Sequence, residues 1–345
     1  MLNNKTILIT GGSGSFGHHC TDYILTHYKP KKMIIYSRDE FKQFNMHNRY
    51  HSLFPPEKSN ILRFFIGDVR DNERLNRALS GVDYVIHAAA LKQVPACEYN
   101  PIEAIKTNIN GACNVIDAAL DTGVKKVVAL STDKSVSPIN LYGSTKMVSD
   151  KLFAAANSYS GTDGTRFAVV RYGNVAGSRG SVIPFFQNII NTARQKGKDD
   201  NDIELPITDF RMTRFWISLE EGVKLVIKAL EESMGGETFI SKIPSFKITD
   251  LAEAMLPEVK TREVGIREGE KLHEVMVPAE DSARTYEYDR HYIIYPNYNW
   301  WNKEKLIPGG KKVEPGFTYS SEKNNQWLSV DDIKVKLKTD LDKHD

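Results

Sequence analysis

TILITGGSGSFG, residues 6–17, is an apolar strand followed at once by a glycine-rich turn. The glycines stand where the strand gives way to a helix, and they fit GxxGxxG from Gly11 and GxGxxG from Gly12. Glycines at such a junction let the backbone approach a pyrophosphate, whose charge the helix amino terminus favours. An ordinary glycine-rich turn is the alternative interpretation. The favoured one is a dinucleotide site with contacts from Gly11, Ser13, Gly14, Ser15, Phe16 and Gly17.

The end of the second predicted strand, Lys32 to Tyr36, is where such a fold reads the ribose of a dinucleotide. A basic residue there suits a 2′-phosphate, whereas a lone acidic residue suits a free 2′-hydroxyl. Arg38 and Lys42 lie near one helical turn apart and can clamp a phosphate, so the pattern favours NADP over NAD. Asp39 can still bind a free ribose 2′-hydroxyl, which would suit NAD. The predicted contacts are Ser37, Arg38, Asp39, Glu40 and Lys42.

Two more predicted strands, Phe64 to Ile66 and Tyr84 to Ile86, are followed by small residues. Small residues after a strand allow a cofactor to pass close to the backbone. We interpret His87 as a strand-end residue without a catalytic role. The cofactor contacts predicted at these strand ends are Asp68, Val69, Ala88, Ala89 and Ala90.

Strands alternate with helical segments through the first 173 residues. This rhythm predicts an α/β fold with a Rossmann-type doubly wound parallel sheet. After a sixth strand, Phe167 to Arg171, glycines and a proline break the alternation, and it returns near Phe215 to Leu230. We therefore expect a cofactor-binding domain, residues 1–173 and 213–242, and a smaller mixed α/β substrate-binding region, residues 174–212 and 243–345. The helical segments on which this rests are Cys20 to Thr26, Asn72 to Leu79, Ile102 to Ala119 and Leu141 to Ala156.

Composition narrows the class of protein. The 345 residues include 46 basic and 44 acidic side chains, which are dispersed, so we expect no nucleic-acid surface. Three cysteines, Cys20, Cys97 and Cys113, lack metal-ligand spacing, which predicts reduced thiols in the cytoplasm and no metal site. We expect no leader peptide, and no apolar run approaches the roughly 20 residues of a membrane span. The sequence therefore predicts a soluble protein.

Two short motifs indicate catalysis. They are Ser131-Thr132-Asp133-Lys134 and Tyr142-Gly143-Ser144-Thr145-Lys146, and the second begins eight residues after Lys134. Tyr142 and Lys146 share one face of a helix. An ammonium near a phenol lowers the phenol's pKa, so Tyr142 can accept an alcohol proton. Asp133 and Lys134 follow a buried strand, where catalytic groups of open α/β sheets cluster. The alternatives are a chance spacing on the helix and a surface ion pair after the strand.

With these motifs in place, the chain resembles the extended short-chain dehydrogenase/reductase superfamily, and within it the inverting UDP-N-acetylglucosamine 4,6-dehydratases of the pseudaminic acid pathway. A lysine directly after the aspartate, here Lys134, resembles the pattern of the inverting group. Retaining dehydratases carry Thr-Asp-Glu at this point. Tyr142 separates the chain from related dehydratase/5-epimerases of capsule pathways, in which the helix tyrosine is replaced. The segments that carry the resemblance are TGGSGSFG, YSRDE, GDVRD, HAAALKQVP, STDK, YGSTK, RYGNVAGSRGSVIPFF, MTRFWISLEE, GEKLHEVMV and YSSEKNNQWLS.

The resemblance implies an internal redox cycle on UDP-N-acetylglucosamine, with NADP recycled in each turnover. Tyr142, assisted by Lys146, would take the C4 hydroxyl proton. Lys134, if neutral, would remove the C5 proton, and Asp133, if protonated, would assist loss of the C6 hydroxyl as water. The implied product is UDP-2-acetamido-2,6-dideoxy-β-L-arabino-hex-4-ulose, the first intermediate of pseudaminic acid biosynthesis for glycosylation of flagellin or other surface proteins.

The resemblance also implies the substrate contacts. Thr132 would hydrogen-bond the sugar, and Arg214 and Arg267 would bind the diphosphate, for which guanidinium groups are suited. Glu270 would take the ribose hydroxyls. Glu268 departs from the proline of many relatives, which puts the local loop shape in doubt. The remaining implied contacts are Asn174, Ser181 and Val182 for the nucleotide sugar, Val175, Tyr142 and Lys146 for the cofactor, and Lys92 for either, with a solvated lysine as its alternative.

Three other functions remain open at this point. One is a UDP-sugar 4-epimerase, another is a 4,6-dehydratase that retains C5, and the third is a non-catalytic NADP-binding regulator. Intact Asp133, Lys134, Tyr142 and Lys146 argue against the regulator. Relatives imply a homo-oligomer, either a dimer or a larger assembly such as a hexamer.

Overall fold

The computed structural model describes residues 1–161, 164–177, 181–299, 301 and 306–341. Strands and helices alternate through its first half, as the sequence predicts. The strands are β1 Thr6–Thr10, β2 Lys32–Ser37, β3 Leu62–Ile66, β4 Tyr84–His87, β5 Lys126–Thr132, β6 Arg166–Tyr172, β7 Glu204–Ile207, β8 Thr213–Phe215, β9 Thr238–Ser241, β10 Ser245–Lys247, β11 Lys260–Glu263, β12 Val275–Val277, β13 Thr285–Glu287, β14 His291–Ile294, β15 Lys311–Lys312 and β16 Tyr319–Ser320.

Twelve α-helices accompany these strands in the described residues. A π-helical turn, Lys106–Asn110, joins two of them, and short 3-10 turns lie at Asp133–Ser135, Asp200–Asp202 and Ala279–Arg284. The helices are α1 Ser15–His27, α2 Glu40–Leu53, α3 Pro56–Ser59, α4 Asn72–Leu79, α5 Val94–Tyr99, α6 Pro101–Ile105, α7 Gly111–Thr122, α8 Leu141–Ala156, α9 Val182–Gln195, α10 Leu219–Glu232, α11 Ile248–Met255 and α12 Val330–Leu341.

A ten-stranded sheet forms the centre of the molecule, in the order β15-β13-β14-β9-β6-β5-β4-β1-β2-β3. The strands from β3 to β9 in this order are all parallel. Successive residues of each strand point to opposite faces, so Ile7 and Ile9 join one apolar core with α1, α2 and α10, whereas Leu8 joins another with α4, α7 and α8. Helices thus cover both faces of the sheet, which confirms the predicted doubly wound fold.

The antiparallel end of the sheet comes from the last part of the chain. Strand β14 pairs with β9, β13 pairs with β14, and β15 pairs with β13, all antiparallel. The predicted division into residues 1–173 with 213–242 and residues 174–212 with 243–345 remains a prediction. In the structure, strands from both sides of that division share one sheet.

A third apolar core lies among α9, α11, α12, β7 and β10, and β10 pairs with β8 outside the large sheet. Trp216 and Phe246 pack edge to face in this core, with ring centroids 5.4 Å apart. It supports one side of the cavity described below. Within the described ranges, no helix is both long and apolar enough to cross a membrane, and no cluster of three or more His, Cys, Asp or Glu could hold a metal ion.

Candidate active site

A cavity of about 750 Å³ opens at the carboxyl ends of β4, β5 and β6. Helix α8, the start of α9, strand β8 and the loop 267–274 complete its wall. This is the edge at which ligands of open α/β sheets bind. The predicted site residues that line the cavity are Phe16, Ala88, Ala90, Lys92, Thr132, Lys134, Tyr142, Lys146, Asn174, Ser181, Val182, Arg214, Arg267 and Glu270.

The remaining predicted residues do not line this cavity. Most belong to the glycine turn and to the ends of β2 and β3, where only the cofactor was expected. Ser178, Arg179 and Gly180, which stand between the predicted contacts Asn174 and Ser181 in a segment that resembles the family's nucleotide-sugar loop, lie outside the described residues. The predicted residues away from the wall are Gly11, Ser13, Gly14, Ser15, Gly17, Ser37, Arg38, Asp39, Glu40, Lys42, Asp68, Val69, Ala89, Asp133 and Val175.

In the turn that follows β1, glycines allow neighbouring backbone segments to pack closely. Gly11 has φ +64°, and a Cβ on it would lie 2.9 Å from the backbone of Ala89. A Cβ on Gly17 would lie 2.1 Å from the carbonyl oxygen of Gly12, so only glycine lets α1 pack there. The N-cap of α1 is Gly14, and none of the described side chains caps this helix. Its amino-terminal N–H groups therefore remain available to an anion, which fits a dinucleotide pyrophosphate.

The end of β2 carries the predicted ribose-reading residues. Asp39 caps α2 by accepting a hydrogen bond from the backbone N–H of Lys42 at 2.9 Å, and its carboxylate also pairs with the Lys42 ammonium at 2.7 Å. Asp39 is thus engaged by its own helix. Arg38 is 54% exposed and lies 3.7 Å from Asp68. The exposed guanidinium is consistent with a contact to a phosphate, and the predicted clamp stays a prediction.

Helix α8 presents Tyr142 and Lys146 to the cavity. The helix begins at Leu141 because Asn140 caps it, accepting a hydrogen bond from the backbone N–H of Gly143 at 2.7 Å. A Cβ on Gly143 would lie 2.1 Å from the carbonyl oxygen of Lys134, so a glycine is required where the helix meets the turn. This packing brings Tyr142 and Lys134 to the same cavity.

The protonation of Tyr142 differs from the expectation. Burial raises the pKa of Tyr142 to about 12, and the Lys134 charge and a hydrogen bond with Thr132 lower it by less. The cation that acts on this phenol is thus Lys134, not Lys146 as expected. Burial lowers the pKa of Lys146, and Asp150 opposes that change. The expected lowering of the Tyr142 pKa is therefore wrong for this structure, because desolvation outweighs the nearby charge.

His87 is positioned as a structural residue. It is 2% exposed, and its Nδ1 lies 2.8 Å from the hydroxyl of Thr10. Burial, with the charge of Lys146, lowers the pKa of His87 to about 3, so the ring is neutral at neutral pH. This agrees with its interpretation as a strand-end residue.

Lys134 is held by polar groups on three sides. Its Nζ lies 3.1 Å from Asp133 Oδ1 and 3.3 Å from Glu274 Oε1, and it donates a hydrogen bond to Asn174 Oδ1 at 3.0 Å. Burial lowers the pKa of Lys134, but Asp133 and Glu274 raise it by more, so the net shift is upward. The expected neutral lysine is thus not the form that this arrangement favours. Two carboxylates hold the ammonium charged.

Asp133 is completely buried and lies behind the cavity wall. Its Oδ1 accepts a hydrogen bond from the Thr132 hydroxyl at 2.9 Å, whereas its Oδ2 has no hydrogen-bond partner among the described residues. Asp133 therefore meets the cavity through Thr132 and Lys134, which both line it. The surface ion pair proposed as an alternative is wrong, because the carboxylate is 0% exposed.

A buried network supports the turn from beneath. Asp150 accepts hydrogen bonds from Ser131 at 2.6 Å and from Ser135 at 3.1 Å, and it lies 3.7 Å from Arg171. Ser135 also donates to the carbonyl oxygen of Thr132 at 2.7 Å. These bonds fix the end of β5, so Thr132 and Lys134 have little freedom to move.

The loop 267–274 is attached to the segment that leads into helix α8. Asn140 donates a hydrogen bond to the carbonyl oxygen of Gly269 at 2.7 Å, and Lys271 donates one to the carbonyl oxygen of Val136 at 2.5 Å. Gly269 adopts φ +74°, a conformation that favours glycine. The loop therefore places Arg267 and Glu270 beside α8.

Arg214 makes several hydrogen bonds within the protein that the sequence does not reveal. It is 5% exposed, and its terminal nitrogens donate to the backbone carbonyl oxygens of Thr213, Leu272 and Lys271 at 2.7, 3.1 and 2.9 Å. These contacts hold the loop 267–274 in place. The diphosphate role of Arg214 stays a prediction, and exposed Arg267, whose guanidinium lies 5.8 Å from the Phe185 ring centroid, keeps the same predicted role.

Among the polar residues of the wall to which sequence reasoning gave no role are Asn140, Lys271 and Glu274. Asn140 stands directly before the predicted helix, where an N-cap is expected, and that position was a usable signal. Glu274 lies in the quoted segment GEKLHEVMV, but only its neighbour Glu270 was given a role. A carboxylate directly before the apolar run of that segment was the available signal for Glu274.

The chain is similar to known proteins in both sequence and fold. A family model described as polysaccharide biosynthesis protein matches residues 7–296. The chain is 55% identical over 339 residues to a UDP-N-acetylglucosamine 4,6-dehydratase (inverting) of Campylobacter jejuni, covering 96% of this chain and 97% of that protein. It is 42% identical to a UDP-glucose 4-epimerase of Rickettsia canadensis, covering 98% and 97%. The X-ray structure of Pen from Bacillus thuringiensis is similar with a TM-score of 0.85 and 34% identity, covering 100% and 99%.

Proposed function

The chain is a member of the polysaccharide biosynthesis protein family, and from this we propose that it is a UDP-N-acetylglucosamine 4,6-dehydratase that inverts C5. The observation that carries the proposal is Lys134 on the wall of the cavity that Tyr142 and Lys146 also line. A proton acceptor for an alcohol and a base for a carbon acid in one cavity are what dehydration of a sugar requires. The 55% identity to a relative with this activity supports the same assignment.

NADP is the proposed cofactor, held at the glycine turn and by Arg38 and Lys42. When bound, its nicotinamide supplies the acceptor for a hydride from C4 and the donor of a hydride to C6. Tyr142 takes the proton of the C4 hydroxyl, and Lys146 lies on the same helix face. The 4-keto group formed in this way acidifies the C5 proton.

Lys134 then removes the C5 proton, after passing its own proton to the carboxylate of Asp133, whose Oδ1 lies 3.1 Å from Lys134 Nζ. The C6 hydroxyl departs as water with one added proton, for which Asp133 is the proposed source, through Thr132 or Lys134. A proton delivered to C5 from the opposite face, with the hydride at C6, gives the L-arabino 4-keto-6-deoxy sugar. The sugar nucleotide thereby loses one water and is neither oxidised nor reduced overall.

The substrate contacts remain proposals that the cavity supports. Thr132 and Lys92 are proposed for the sugar, and the exposed Arg267 for the diphosphate. Glu270 is proposed for the ribose, and Asn174, Ser181 and Val182 for the rest of the nucleotide sugar. We further propose that the product enters pseudaminic acid biosynthesis for surface-protein glycosylation in the cytoplasm, and that the enzyme works as a homo-oligomer.

The test is incubation with UDP-N-acetylglucosamine in deuterated water, followed by mass spectrometry and proton NMR. Loss of water, a new C6 methyl group, deuterium at C5 and L-arabino coupling constants are the expected results. The Lys134→Ala variant should show neither deuterium incorporation at C5 nor loss of water from the substrate. Lys151→Ala, which removes an exposed lysine from helix α8, should behave as the unchanged protein.

A 4-epimerase is the second candidate, favoured by the 42% identity to a protein of that name. It would return a product with all its oxygen atoms that differs only at C4, and that outcome would overturn the roles given to Asp133 and Lys134. A retaining dehydratase would lose water but leave C5 unchanged. A regulator would turn over nothing.

A further inference from the structure

Glu274 is a buried carboxylate on the cavity wall that the proposed reaction does not use. It is 2% exposed, and its Oε1 lies 3.3 Å from Lys134 Nζ and 3.9 Å from Arg214 Nε. Its Oε2 is buried with no hydrogen-bond partner among the described residues. Burying a carboxylate with one oxygen unpartnered is costly, so its position calls for a specific reason.

The protein fixes Glu274 from behind. Its backbone N–H donates to the hydroxyl of Ser321 at 2.9 Å, and the Ser321 N–H donates to the Glu274 carbonyl oxygen at 2.8 Å. Ser321 in turn contacts Thr213, with hydroxyl oxygens 2.7 Å apart. Strand β12 follows directly and pairs with β16. The carboxylate is therefore aimed at Lys134 by a backbone that cannot easily shift.

We propose that Glu274 is a positioning residue that holds the Lys134 side chain toward the cavity and sets the ease with which Lys134 loses its proton. The inference rests on the proposed function, in which Lys134 is the base at C5. Glu274 acts through Lys134, and no contact between Glu274 and the sugar is required.

The charges that face Lys134 come from four elements. Asp133 lies beside it in the same turn, Tyr142 comes from α8, Arg214 from β8, and Lys271 and Glu274 from the loop 267–274. Without the Glu274 charge, Asp133 alone would oppose the repulsion from the neighbouring cations. Lys134 would then lose its proton at lower pH.

The experiment compares Glu274→Gln with Glu274→Asp and with Glu280→Gln, which removes an exposed carboxylate six residues further along. The first readout is the rate at which an amine-acylating reagent modifies Lys134 at fixed pH, measured by peptide mass spectrometry. Only the neutral amine reacts. Glu274→Gln should raise this rate about tenfold, as a fall of one pKa unit requires, and Glu280→Gln should not change it.

The second readout is deuterium exchange at C5 of the 4-keto product as a function of pH. Its acid limb should move to lower pH by about one unit in Glu274→Gln, and its plateau should fall because Lys134 is less well oriented. A merely structural role would lower the plateau without moving the limb, and that result would overturn the proposal. If Glu274→Gln does not fold, Glu274→Asp decides. It keeps the charge but shortens the side chain by one methylene, which draws the carboxylate away from Lys134 Nζ, so the limb should move part of the way to lower pH. An unmoved limb in that variant overturns the proposal.

Failure of this inference can be told apart from failure of the proposed function. If the unchanged protein does not dehydrate UDP-N-acetylglucosamine, the function is wrong, and the modification rate of Lys134 still tests the link to Glu274. If the unchanged protein dehydrates the substrate and Glu274→Gln leaves both readouts as they were, only the inference is wrong.

Discussion

In the proposed reaction, Tyr142 has to give up its proton before it can accept one from the C4 hydroxyl. Because burial raises its pKa to about 12, the tyrosinate is scarce at neutral pH and becomes commoner as pH rises. We expect the rate of nicotinamide reduction in a single turnover to increase from neutral to alkaline pH. Tyr142→Phe should lower that rate by at least about 100-fold.

The control for Tyr142 is Tyr159→Phe, which changes a tyrosine that is 75% exposed and outside the cavity. It should leave the rate and its pH dependence unchanged. A Tyr142→Phe protein that reduced nicotinamide within tenfold of the normal rate would show that another group accepts the C4 proton.

Arg38 offers a separate test of cofactor choice. Its exposed guanidinium is proposed to contact the 2′-phosphate, and a charge-assisted contact of this kind contributes about 1.5–3 kcal/mol. Arg38→Ala should therefore raise the Kd for NADP about tenfold or more and leave the Kd for NAD nearly unchanged. Titration calorimetry with both dinucleotides measures this. Equal weakening of both would contradict a 2′-phosphate contact.

At the residue scale, two short motifs were enough to predict residues that share one cavity, and the chemical roles of those residues stay predictions. Tyr142, Lys146 and Lys134 were found in this way, and all three line the cavity. Sequence reasoning failed for Glu274, because its importance depends on a contact between residues 140 positions apart. It also misjudged the Tyr142 pKa, since a motif does not reveal how deeply a phenol is buried.

Among the elements, α8 depends on Asn140 for both its start and its contact with the loop 267–274. Asn140→Ala removes the cap and the bond to Gly269, and should lower the free energy of unfolding by about 1–2 kcal/mol. Asn140→Asp keeps the acceptor for the Gly143 N–H but cannot donate to Gly269. It should preserve most of the stability and still raise the KM for the UDP-sugar.

Urea unfolding and steady-state kinetics of the two Asn140 variants separate these contributions. If both variants lose the same stability and neither changes the KM, the bond to Gly269 does not help to place the loop.

Long elements with a strong pattern were predicted closely. Helix α8 has the predicted bounds, Leu141–Ala156, and the predicted helix Ile102 to Ala119 is present as α6, a π-helical turn and α7. The strands β13, β14 and β15 were not predicted. They have only two to four residues each, and they form because distant segments pair with them, which local pattern does not reveal.

For the whole molecule, the shared sheet predicts cooperative unfolding. All four tryptophans follow residue 215 in the sequence, whereas Cys20 is completely buried near the amino terminus. Tryptophan fluorescence and alkylation of Cys20 should therefore report one transition at the same urea concentration, because β14 ties the last part of the chain to β9. NADP at 100 times its Kd should stabilise both by about 2.7 kcal/mol. Two separate transitions would indicate independently folding regions.

The predicted fold class and family resemblance are both confirmed at this scale, by the parallel order of the sheet and by the 55% identical relative. Strand and helix alternation is a global pattern, so it survives local errors. Sequence reasoning did not predict that the sheet continues into residues 285–312, since an antiparallel extension needs no crossover helix and leaves no rhythm in the sequence.

The two hydrogen bonds between Ser321 and Glu274 can form only late in the synthesis of the chain. A ribosome releases the strands β1 to β6 and the glycine turn long before Ser321 has been synthesised. A nascent or prematurely terminated chain that ends before this serine therefore includes the residues of the proposed dinucleotide site. It lacks the two hydrogen bonds that fix the backbone of Glu274. The arrangement proposed to tune Lys134 would then be completed only when translation is almost complete.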